Sequence, residues 1–326
     1  MNEDIDQISE KLIAYLREQL SDPLIRYESP LTRLEGGFET YIYRFELDGA
    51  QKEFAEPLIL RLYPEYSGIE GAIWESIVQN ALAAEGYPVA KAHMLCVDMS
   101  ILGGAFFIMD FLPGESMATA PVESIPELLG TAHAGLHSID PKPLIKSLGE
   151  QGISESMCRL DNRFKGLEDK ASKFPWLRDS AAWLIEHRPP EPEQLALCHH
   201  DFHPGNILIQ GGVVTGLLDW AGFLIADPAL DVANTIVLVS IPLNHLAPRL
   251  GLDFSSIDWK LFEQQYLDAY QTEKSLDKAH LDYYRVRRCV SGLIEGSEGQ
   301  TVWLHPPILR DLLDSIHSVT GIQITK

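Results

Sequence analysis

The chain has 326 residues, 45% of them hydrophobic and 22% charged, and its 26 Lys and Arg against 47 Asp and Glu give a net charge of −21. This composition excludes a disordered, collagen-like or coiled-coil chain, and the negative charge argues against sequence-independent binding of nucleic acid or of anionic lipid. The four cysteines are widely spaced and form no CxxC pair, which argues against a zinc ribbon or a disulfide scaffold and favours reduced thiols.

The N-terminus lacks the basic and apolar regions of a signal peptide, and no window of roughly 18 uninterrupted apolar residues is present. We therefore expect a cytoplasmic protein that binds neither nucleic acid nor membrane. A chain of this length usually exceeds one compact core, so two lobes are expected.

Apolar residues recur every three or four positions over residues 5–20, which predicts an amphipathic helix. The next part of the chain alternates short runs of β-branched and aromatic residues with turn signals, which indicates strands. The predicted elements are strands over 41–47, 58–63, 92–97 and 105–109, with a helix over 71–85. Residues 31–111 are therefore interpreted as an antiparallel sheet interrupted by one helix.

Beyond Pro113 and Gly114 the helical period dominates, apart from the stretch 195–218, where short apolar runs flank a polar segment. The predicted helices cover 122–138, 155–172, 176–187, 228–241, 258–273, 277–296 and 306–320. The outline is α+β, with a small mixed N-terminal lobe over 1–112 and a larger, mainly helical C-terminal lobe over 113–326.

The polar segment carries the strongest chemical signal. Asp201 is flanked by histidines, Asn206 follows five residues later, and Asp219 follows the next apolar run. Three hard oxygen donors suit Mg²⁺ and phosphoryl transfer, in which one carboxylate faces the nucleophilic hydroxyl while an Asn and a second Asp hold the metal. Two other interpretations of the residues remain open: a cluster of turn and cap residues, and a transition-metal hydrolase that uses His199, Asp201 and His203.

The segment His199–Leu208 closely resembles the catalytic loop of the aminoglycoside phosphotransferase and choline kinase-like family, small-molecule kinases with a two-lobed protein-kinase-like fold. Leu218–Trp220 resembles the metal-binding motif of that family, and 226–233 resembles the segment that follows it. Upstream, 58–62 resembles the strand that carries a phosphate-contacting base, 107–114 the hinge that meets the purine, and 136–140 a helix-end signature.

The resemblance implies roles for individual residues. Asp201 would orient the acceptor hydroxyl or take its proton, His199 and Asp231 would brace the catalytic loop, and Asn206 and Asp219 would hold Mg²⁺. The residues implied to bind the nucleotide are Gly36 and Gly37 over the phosphates, Arg61 with its ion-pair partner Glu75, Asp110 and Leu112 at the hinge, and Leu208 at the end of the loop motif.

Two positions depart from the pattern of the family. His200 stands where the family usually has Gly, and Arg61 stands where the base is more commonly Lys. A guanidinium can grip a phosphate through two hydrogen bonds but is not interchangeable with an ammonium. The alternative to an active kinase is therefore a nucleotide-binding pseudokinase or regulatory module without phosphotransfer activity.

The predicted reaction is Mg²⁺-dependent transfer of the γ-phosphoryl group of ATP or GTP to a hydroxyl of a small molecule. Asp227 follows only eight positions after Asp219, which is too short for a segment that docks a protein substrate. An aminoglycoside, a macrolide, choline, a sugar or an amino alcohol would all fit, and the acidic balance favours an amine-bearing acceptor. Candidate contacts for such an amine are Asp258, Glu263, Asp268, Asp282, Glu295 and Glu298. No heptad run demands a partner helix, so both a monomer and a homodimer are compatible with the sequence.

Overall fold

The computed structural model of the chain describes residues 5–34, 40–64, 68–163, 166–246 and 257–325. Its internal contacts divide it into two compact units. Unit 1 comprises 1–114 with 215–221, and unit 2 comprises 115–214 with 222–326. The predicted functional division, a nucleotide-binding lobe over 1–112 and a catalytic lobe over 113–326, stays a prediction.

Unit 1 is built on a five-stranded antiparallel sheet with the strand order β1-β2-β3-β5-β4. The predicted strands and helices of this region are confirmed to within a few residues, but β1 was not predicted. It contains Pro30, and its pairing with β2 is interrupted by two register shifts, both of which are typical of an edge strand. The elements are α1 (Ile5–Gln19), β1 (Arg26–Arg33), β2 (Tyr41–Asp48), β3 (Leu58–Pro64), α2 (Gly68–Ala84), β4 (Ala92–Cys96), α3 (Met99–Leu102) and β5 (Gly104–Asp110).

The core of unit 1 lies on both faces of β3, the central strand, whose seven residues are all buried. On one face, Leu12 and Leu16 of α1 pack in a cluster with Leu60. On the other face, Tyr63 packs in a cluster with Phe107. Fully burying an aliphatic side chain of this size stabilises a fold by about 1.5–3 kcal/mol. The apolar residues of α1 recur at helical spacing because they form the face that packs on the sheet.

Unit 2 is mainly helical, and its described part carries five short strands. Strand β7 pairs with β10 antiparallel, β6, β8 and β9 form a second small sheet, and a π-helical turn follows α9. The helices are α4 (Ile125–His137), α5 (Pro141–Glu150), α6 (Leu160–Arg163), α7 (Leu167–Ser172), α8 (Arg178–Glu186), α9 (Pro228–Leu238), α10 (Asn244–Leu246), α11 (Trp259–Gln271), α12 (Lys278–Ser297) and α13 (Pro306–Thr320). The strands are β6 (Glu115–Ser116), β7 (Ala196–Cys198), β8 (Ile207–Gln210), β9 (Val213–Leu217), which continues into unit 1, and β10 (Leu224–Ala226).

In unit 2, one predicted helix is wrong and one helix was not predicted. The single helix predicted over 155–172 is wrong, because the chain forms the short helices α6 and α7 and Gly166 adopts the left-handed region at φ +75°. Helix α5 was not predicted, because its two prolines weaken the helical pattern. Pro141 occupies the first turn, where a missing N–H costs nothing, and Asp140 caps the helix by accepting the amide of Lys142 at 3.1 Å.

By length and composition alone, Pro228–Leu246 could cross a membrane. The window that passes this test is 67% buried inside the protein, as is usual for the core helix of a globular protein.

Candidate active site

The backbone of the loop that follows β7 is held by one carboxylate of α9. Asp231, which is fully buried, accepts the amide N–H of His199 at 2.6 Å through Oδ2 and the amide N–H of His200 at 2.7 Å through Oδ1. Burial alone would raise the pKa of Asp231, but the neighbouring rings of His133 and His137 lower it well below the usual range. Asp231 is therefore a carboxylate that fixes the start of the loop, which is the position in which the resemblance places a brace.

Two further side chains of α9 hold the same loop and were missed in the sequence. The Asn234 amide Nδ2 donates to the carbonyl of His200 at 3.4 Å, and the Thr235 hydroxyl donates to the carbonyl of Phe202 at 2.7 Å. Positions 231, 234 and 235 lie on one face of a helix. Their signal in the sequence is three polar residues at this spacing inside an otherwise apolar segment.

The backbone conformation at His200 explains why the family usually has glycine at this position. Its φ is +68°, in the left-handed region, which costs a residue with a Cβ about 1 kcal/mol. A Cβ at Gly222 would lie 3.0 Å from the carbonyl oxygen of His199 and 3.2 Å from Cβ of His200, so a glycine at 222 makes room for the histidine. Burial, together with the charge of Arg288, lowers the pKa of His200 to about 4, so its ring is neutral near pH 7.

Asp201 presents a carboxylate that is 44% exposed. Asn206 donates from Nδ2 both to Oδ2 and to the backbone carbonyl of Asp201, each at 3.0 Å, and Nε2 of His203 lies 3.6 Å from Oδ2. Burial opposes ionisation, but the hydrogen bond and charge of His203 outweigh it and lower the pKa of Asp201 to about 2. The group is ionised at neutral pH, and its position is fixed by the side-chain amide of Asn206.

Unit 1 contributes a second polar cluster, of which the resemblance implied only the pair between Arg61 and Glu75. Arg61 Nη1 lies 2.9 Å from Oε1 of Glu75, and Nη2 lies 3.2 Å from Oδ1 of Asp219. The Glu75 carboxylate also accepts from the hydroxyl of Tyr63 and from Nε2 of Gln79 at 3.2 Å. Side-chain exposure is 8% for Arg61 and zero for Glu75, so this is a buried ion pair with an additional half-exposed carboxylate.

The charges of this cluster depend on one another. Burial raises the pKa of Glu75, and the charge of Arg61 opposes that rise. Burial also disfavours the charged guanidinium, but the charge of Glu75 outweighs it and raises the pKa of Arg61 above its usual range. The Nε atom of Arg61 is buried and has no hydrogen-bond partner among the described residues. The cluster thus sets one guanidinium against two carboxyl groups, of which that of Asp219 is the more exposed.

The remaining expected nucleotide contacts are five residues. Gly36 and Gly37 lie outside the described residues. The side chain of Asp110 serves unit 1 itself, since it accepts the amide of Lys91 at 3.1 Å and lies 2.5 Å from Nε2 of His93. Leu112 is half-buried, and its backbone amide is not paired within the described part of unit 1. Leu208 lies on β8 opposite Ser116 in unit 2.

The residues expected to hold magnesium have the chemistry that this ion prefers. Asp219 offers a carboxylate at 37% exposure, and Oδ1 of Asn206 is not engaged by another described residue, since only Nδ2 donates to Asp201. Both are hard oxygen donors, and neither nitrogen nor sulfur is needed. Asn206 belongs to unit 2 and Asp219 to unit 1.

The hydrolase alternative receives no support from the geometry. Within the described ranges, the ligand atoms of His199, Asp201 and His203 do not converge, and Nδ1 of His199 accepts the amide of Asp201 at 3.3 Å. The only group of three whose ligand atoms lie within 4.8 Å of one another in those ranges is His133, His137 and Asp231.

Most of the carboxylates expected to contact an amine already have an intramolecular partner. The carboxylate of Asp268 is the exception among the six, having no such partner in the described part of unit 2. The engaged groups are Asp258, which caps α11, and the ion pairs of Glu263 with Arg285, Asp282 with Lys278, Glu295 with Arg288 and Glu298 with Lys170.

Curated relatives at the sequence level include the human protein acyl-CoA dehydrogenase family member 11, which is 27% identical over 252 residues, 69% of this chain and 30% of that protein. The Gallus gallus protein of the same name is 32% identical over 174 residues, 48% of this chain and 21% of that protein. The chain thus spans less than a third of the length of these relatives.

Solved structures share the fold at low identity. A candidate aminoglycoside phosphotransferase from Ralstonia eutropha superposes with a TM-score of 0.59 at 19% identity, covering 96% of this chain and 94% of that one. A thermostable mutant of aminoglycoside phosphotransferase APH(4)-Ia, solved with AMP-PNP and hygromycin B, gives a TM-score of 0.54 at 17% identity, covering 95% and 96%. These likenesses confirm the expected α+β, protein-kinase-like fold.

The model of the phosphotransferase enzyme family matches residues 30–280, more than three quarters of the chain and all of the loop and cluster residues described above. The chain belongs to the phosphotransferase enzyme family.

Proposed function

We propose that this protein transfers the γ-phosphoryl group of ATP or GTP to a hydroxyl of a small molecule, with Mg²⁺ as cofactor. The observation that carries the proposal is Asp201, an ionised and half-exposed carboxylate on a loop whose backbone is held by three side chains of one helix. Phosphoryl transfer needs little covalent chemistry from the protein and depends on positioning and charge. A rigid loop with an exposed carboxylate meets the first of these needs.

The low pKa of Asp201 defines its part in the reaction. A carboxylate with a pKa of about 2 is a weak base toward an alcohol. Asp201 therefore orients the acceptor hydroxyl through a hydrogen bond, and takes the proton late, when bond formation to phosphorus has made that hydroxyl acidic. The amide of Asn206 keeps the carboxylate in place during this step.

Asn206 and Asp219 are the proposed ligands of Mg²⁺, on the strength of their motifs and their oxygen donors. When bound, the ion would neutralise charge on the phosphates of the nucleotide. Arg61 is held by Glu75 and would contact the phosphates from unit 1. The backbone amide of Leu112, which has no partner in the described part of unit 1, would meet the purine. Gly36 and Gly37 keep the role that the family resemblance implies.

The acceptor is proposed to be a small molecule, because the segment after Asp219 is too short to dock a protein. The protein is proposed to act in the cytoplasm. Asp268 is the best remaining contact for an amine-bearing acceptor, since the other five candidate carboxylates are engaged. Hygromycin B is present with the structural neighbour, which supports a compound of that general size. Neither nucleic acid nor membrane is a proposed partner.

The test is phosphoryl transfer by the purified protein with Mg·ATP and with Mg·GTP across aminoglycosides, macrolides, choline, sugars and amino alcohols. Turnover that requires one acceptor class supports the proposal and identifies the substrate. The Asp201→Asn variant is the matched control, since it should keep nucleotide affinity and lose turnover. Tight nucleotide binding without turnover on any acceptor would favour the pseudokinase, and an absence of nucleotide binding would refute both.

A further inference from the structure

A buried group of side chains surrounds Asp231, the residue that holds the catalytic loop. His133 and His137 lie one turn apart on α4. Nε2 of His137 is hydrogen-bonded to Oδ2 of Asp231 at 3.4 Å. Nε2 of His133 faces the same oxygen at 3.2 Å but lies off the direction of a hydrogen bond. All three side chains are fully buried or nearly so. Oδ2 also accepts the amide of His199, so three nitrogen atoms converge on one carboxylate oxygen.

The opposite ring nitrogens of the two histidines contact a third helix. Nδ1 of His133 lies 2.7 Å from the hydroxyl of Tyr266, and Nδ1 of His137 lies 2.7 Å from the hydroxyl of Tyr270. Helices α4 and α11 approach closely because position 130 is glycine, where a Cβ would lie 2.4 Å from the carbonyl oxygen of Tyr266. Each histidine therefore connects a tyrosine of α11 to the carboxylate that braces the loop.

Ring chemistry determines the direction of these hydrogen bonds. Burial lowers the pKa of His133 to about 4, so its ring is neutral near pH 7, and a neutral imidazole donates from only one nitrogen. The nitrogen that faces a carboxylate is the donor, because a lone pair there would face negative charge. Nδ1 must then accept, and Tyr266 can donate to it because burial keeps its hydroxyl protonated by raising its pKa.

We propose that Tyr266 and Tyr270 are positioning residues for phosphoryl transfer: through His133 and His137 they set the Nε2–H tautomer that holds Asp231, and Asp231 holds the amides of His199 and His200. The expected change in turnover rests on the proposed function. The expected tautomer and the expected protection of the loop amides from exchange do not rest on it, so this inference and the proposed function can fail separately.

A metal ion bound by the same three side chains is the competing explanation, since their ligand atoms lie within 4.8 Å of one another. Two observations favour hydrogen bonding. Oδ2 of Asp231 already accepts the amide of His199 at 2.6 Å, and the described part of unit 2 supplies no fourth His, Cys, Asp or Glu to this group. A bound cation would require Nε2 without its proton, so the two explanations differ in an observable tautomer.

The first experiment is a ¹⁵N NMR spectrum of the full chain with labelled histidine, together with elemental analysis of the purified protein. We expect both His133 and His137 to carry the proton on Nε2 at neutral pH, with no stoichiometric metal. Signals are assigned by the loss of one resonance in each single histidine variant. A proton on Nδ1, or one tightly bound metal ion per chain, would overturn the proposal.

The second experiment compares two amides at one position. His137→Gln can place an N–H near the former Nε2 and keep the donor to Asp231, whereas His137→Asn places its amide near Nδ1 and keeps only the contact with Tyr270. We expect kcat to fall about 10²-fold in the Asn variant, because a small misplacement of a reacting group costs that much. The Gln variant should stay within about threefold of the wild type, with the nucleotide KM unchanged in both.

The matched control is His245, which lies 2.6 Å from Asp311 elsewhere in unit 2. Its Asn and Gln variants should show the same kcat as each other. Equal losses in the Asn and Gln variants of His137 would indicate a packing role and overturn the proposal.

A third experiment avoids replacing a buried ring. Tyr266→Phe and Tyr270→Phe each remove one hydroxyl and leave the aromatic packing intact. We expect the amide protons of His199 and His200 to exchange with solvent at least tenfold faster in each variant than in the wild type. Unchanged exchange in the double variant would overturn the proposal, whether or not the protein transfers phosphate.

Discussion

The buried ion pair between Arg61 and Glu75 allows a quantitative prediction. Glu75→Gln retains the shape of the side chain and an oxygen that can accept from the hydroxyl of Tyr63, but removes the charge that Arg61 faces at 2.9 Å. The guanidinium then remains buried with only Asp219 as a counterion, at 3.2 Å and 37% exposed. Because burial disfavours the charge of Arg61, the variant should be clearly less stable.

The expected loss follows from the environment of the pair. Removing one partner of a buried ion pair costs about 3–5 kcal/mol, because the other charge stays buried. Asp219 still compensates part of that charge, so we expect a loss of about 3 kcal/mol, which corresponds to a fall in Tm of roughly 4 °C for a chain of 326 residues.

The assay is thermal unfolding followed by circular dichroism, with a urea titration to give the free energy of unfolding. Glu46→Gln is the matched control, since Glu46 pairs with Arg44 at 2.7 Å but their side chains are 27% and 42% exposed. An exposed pair contributes about 1 kcal/mol at most, so the Tm of this control should hardly change. Equal shifts in the two variants would refute the argument that burial determines the strength of the Arg61 pair.

The remaining predictions concern the loop and the helices beneath it. Asp201→Asn should lower kcat about 10²–10⁴-fold and leave the nucleotide Kd, measured by calorimetry, unchanged; a parallel loss of affinity would contradict the assigned role. Thr235→Val leaves the carbonyl of Phe202 without its donor and should cost about 1–3 kcal/mol in a urea titration, and an unchanged midpoint would argue against the bond. Gly130→Ala should lower the Tm, because its Cβ would meet Tyr266, whereas Gly135→Ala in the same helix meets nothing within 4 Å and should stabilise by about 1 kcal/mol; the reverse order would contradict the packing. The carboxyl of Asp201 should titrate near pH 2 by ¹³C NMR. Because its pKa is lowered from 3.8, its contribution to stability is complete above that pH and is lost as the pH falls through 2, so a midpoint near 4 would show that His203 does not act on it.

Local patterns were sufficient for much of unit 1. The spacing of Leu12 and Leu16 identifies α1, because a helix buries every third or fourth residue whatever it packs against. The apolar run of β3 likewise identifies a buried strand. Strand β1 was missed because an edge strand is defined by its neighbour, and its own residues are mostly polar and include Pro30.

The catalytic loop was recognisable because its residues are contiguous, so motif and spacing survive in one dimension. Asp201 and Asn206 could be named in advance for that reason, and Asp231 from the separate motif over 226–233. Asn234 and Thr235 could have been named from their spacing in α9. His200 was visible as a departure, but its cost was not, because a positive φ is a property of the folded backbone.

The sequence by itself determined the fold class, the family and the identity of the loop, since each depends on periodicity or on residues close together in the chain. Tertiary structure decided which charges face each other. Asp219 is 158 residues from Arg61, and Tyr266 is 133 residues from His133, yet each pair is in contact. It also decided that most acidic candidates on α11 and α12 already have partners. Charge and hydrogen bonding act over a few ångströms in space, and only the packing of the helices and the sheet brings such distant residues that close.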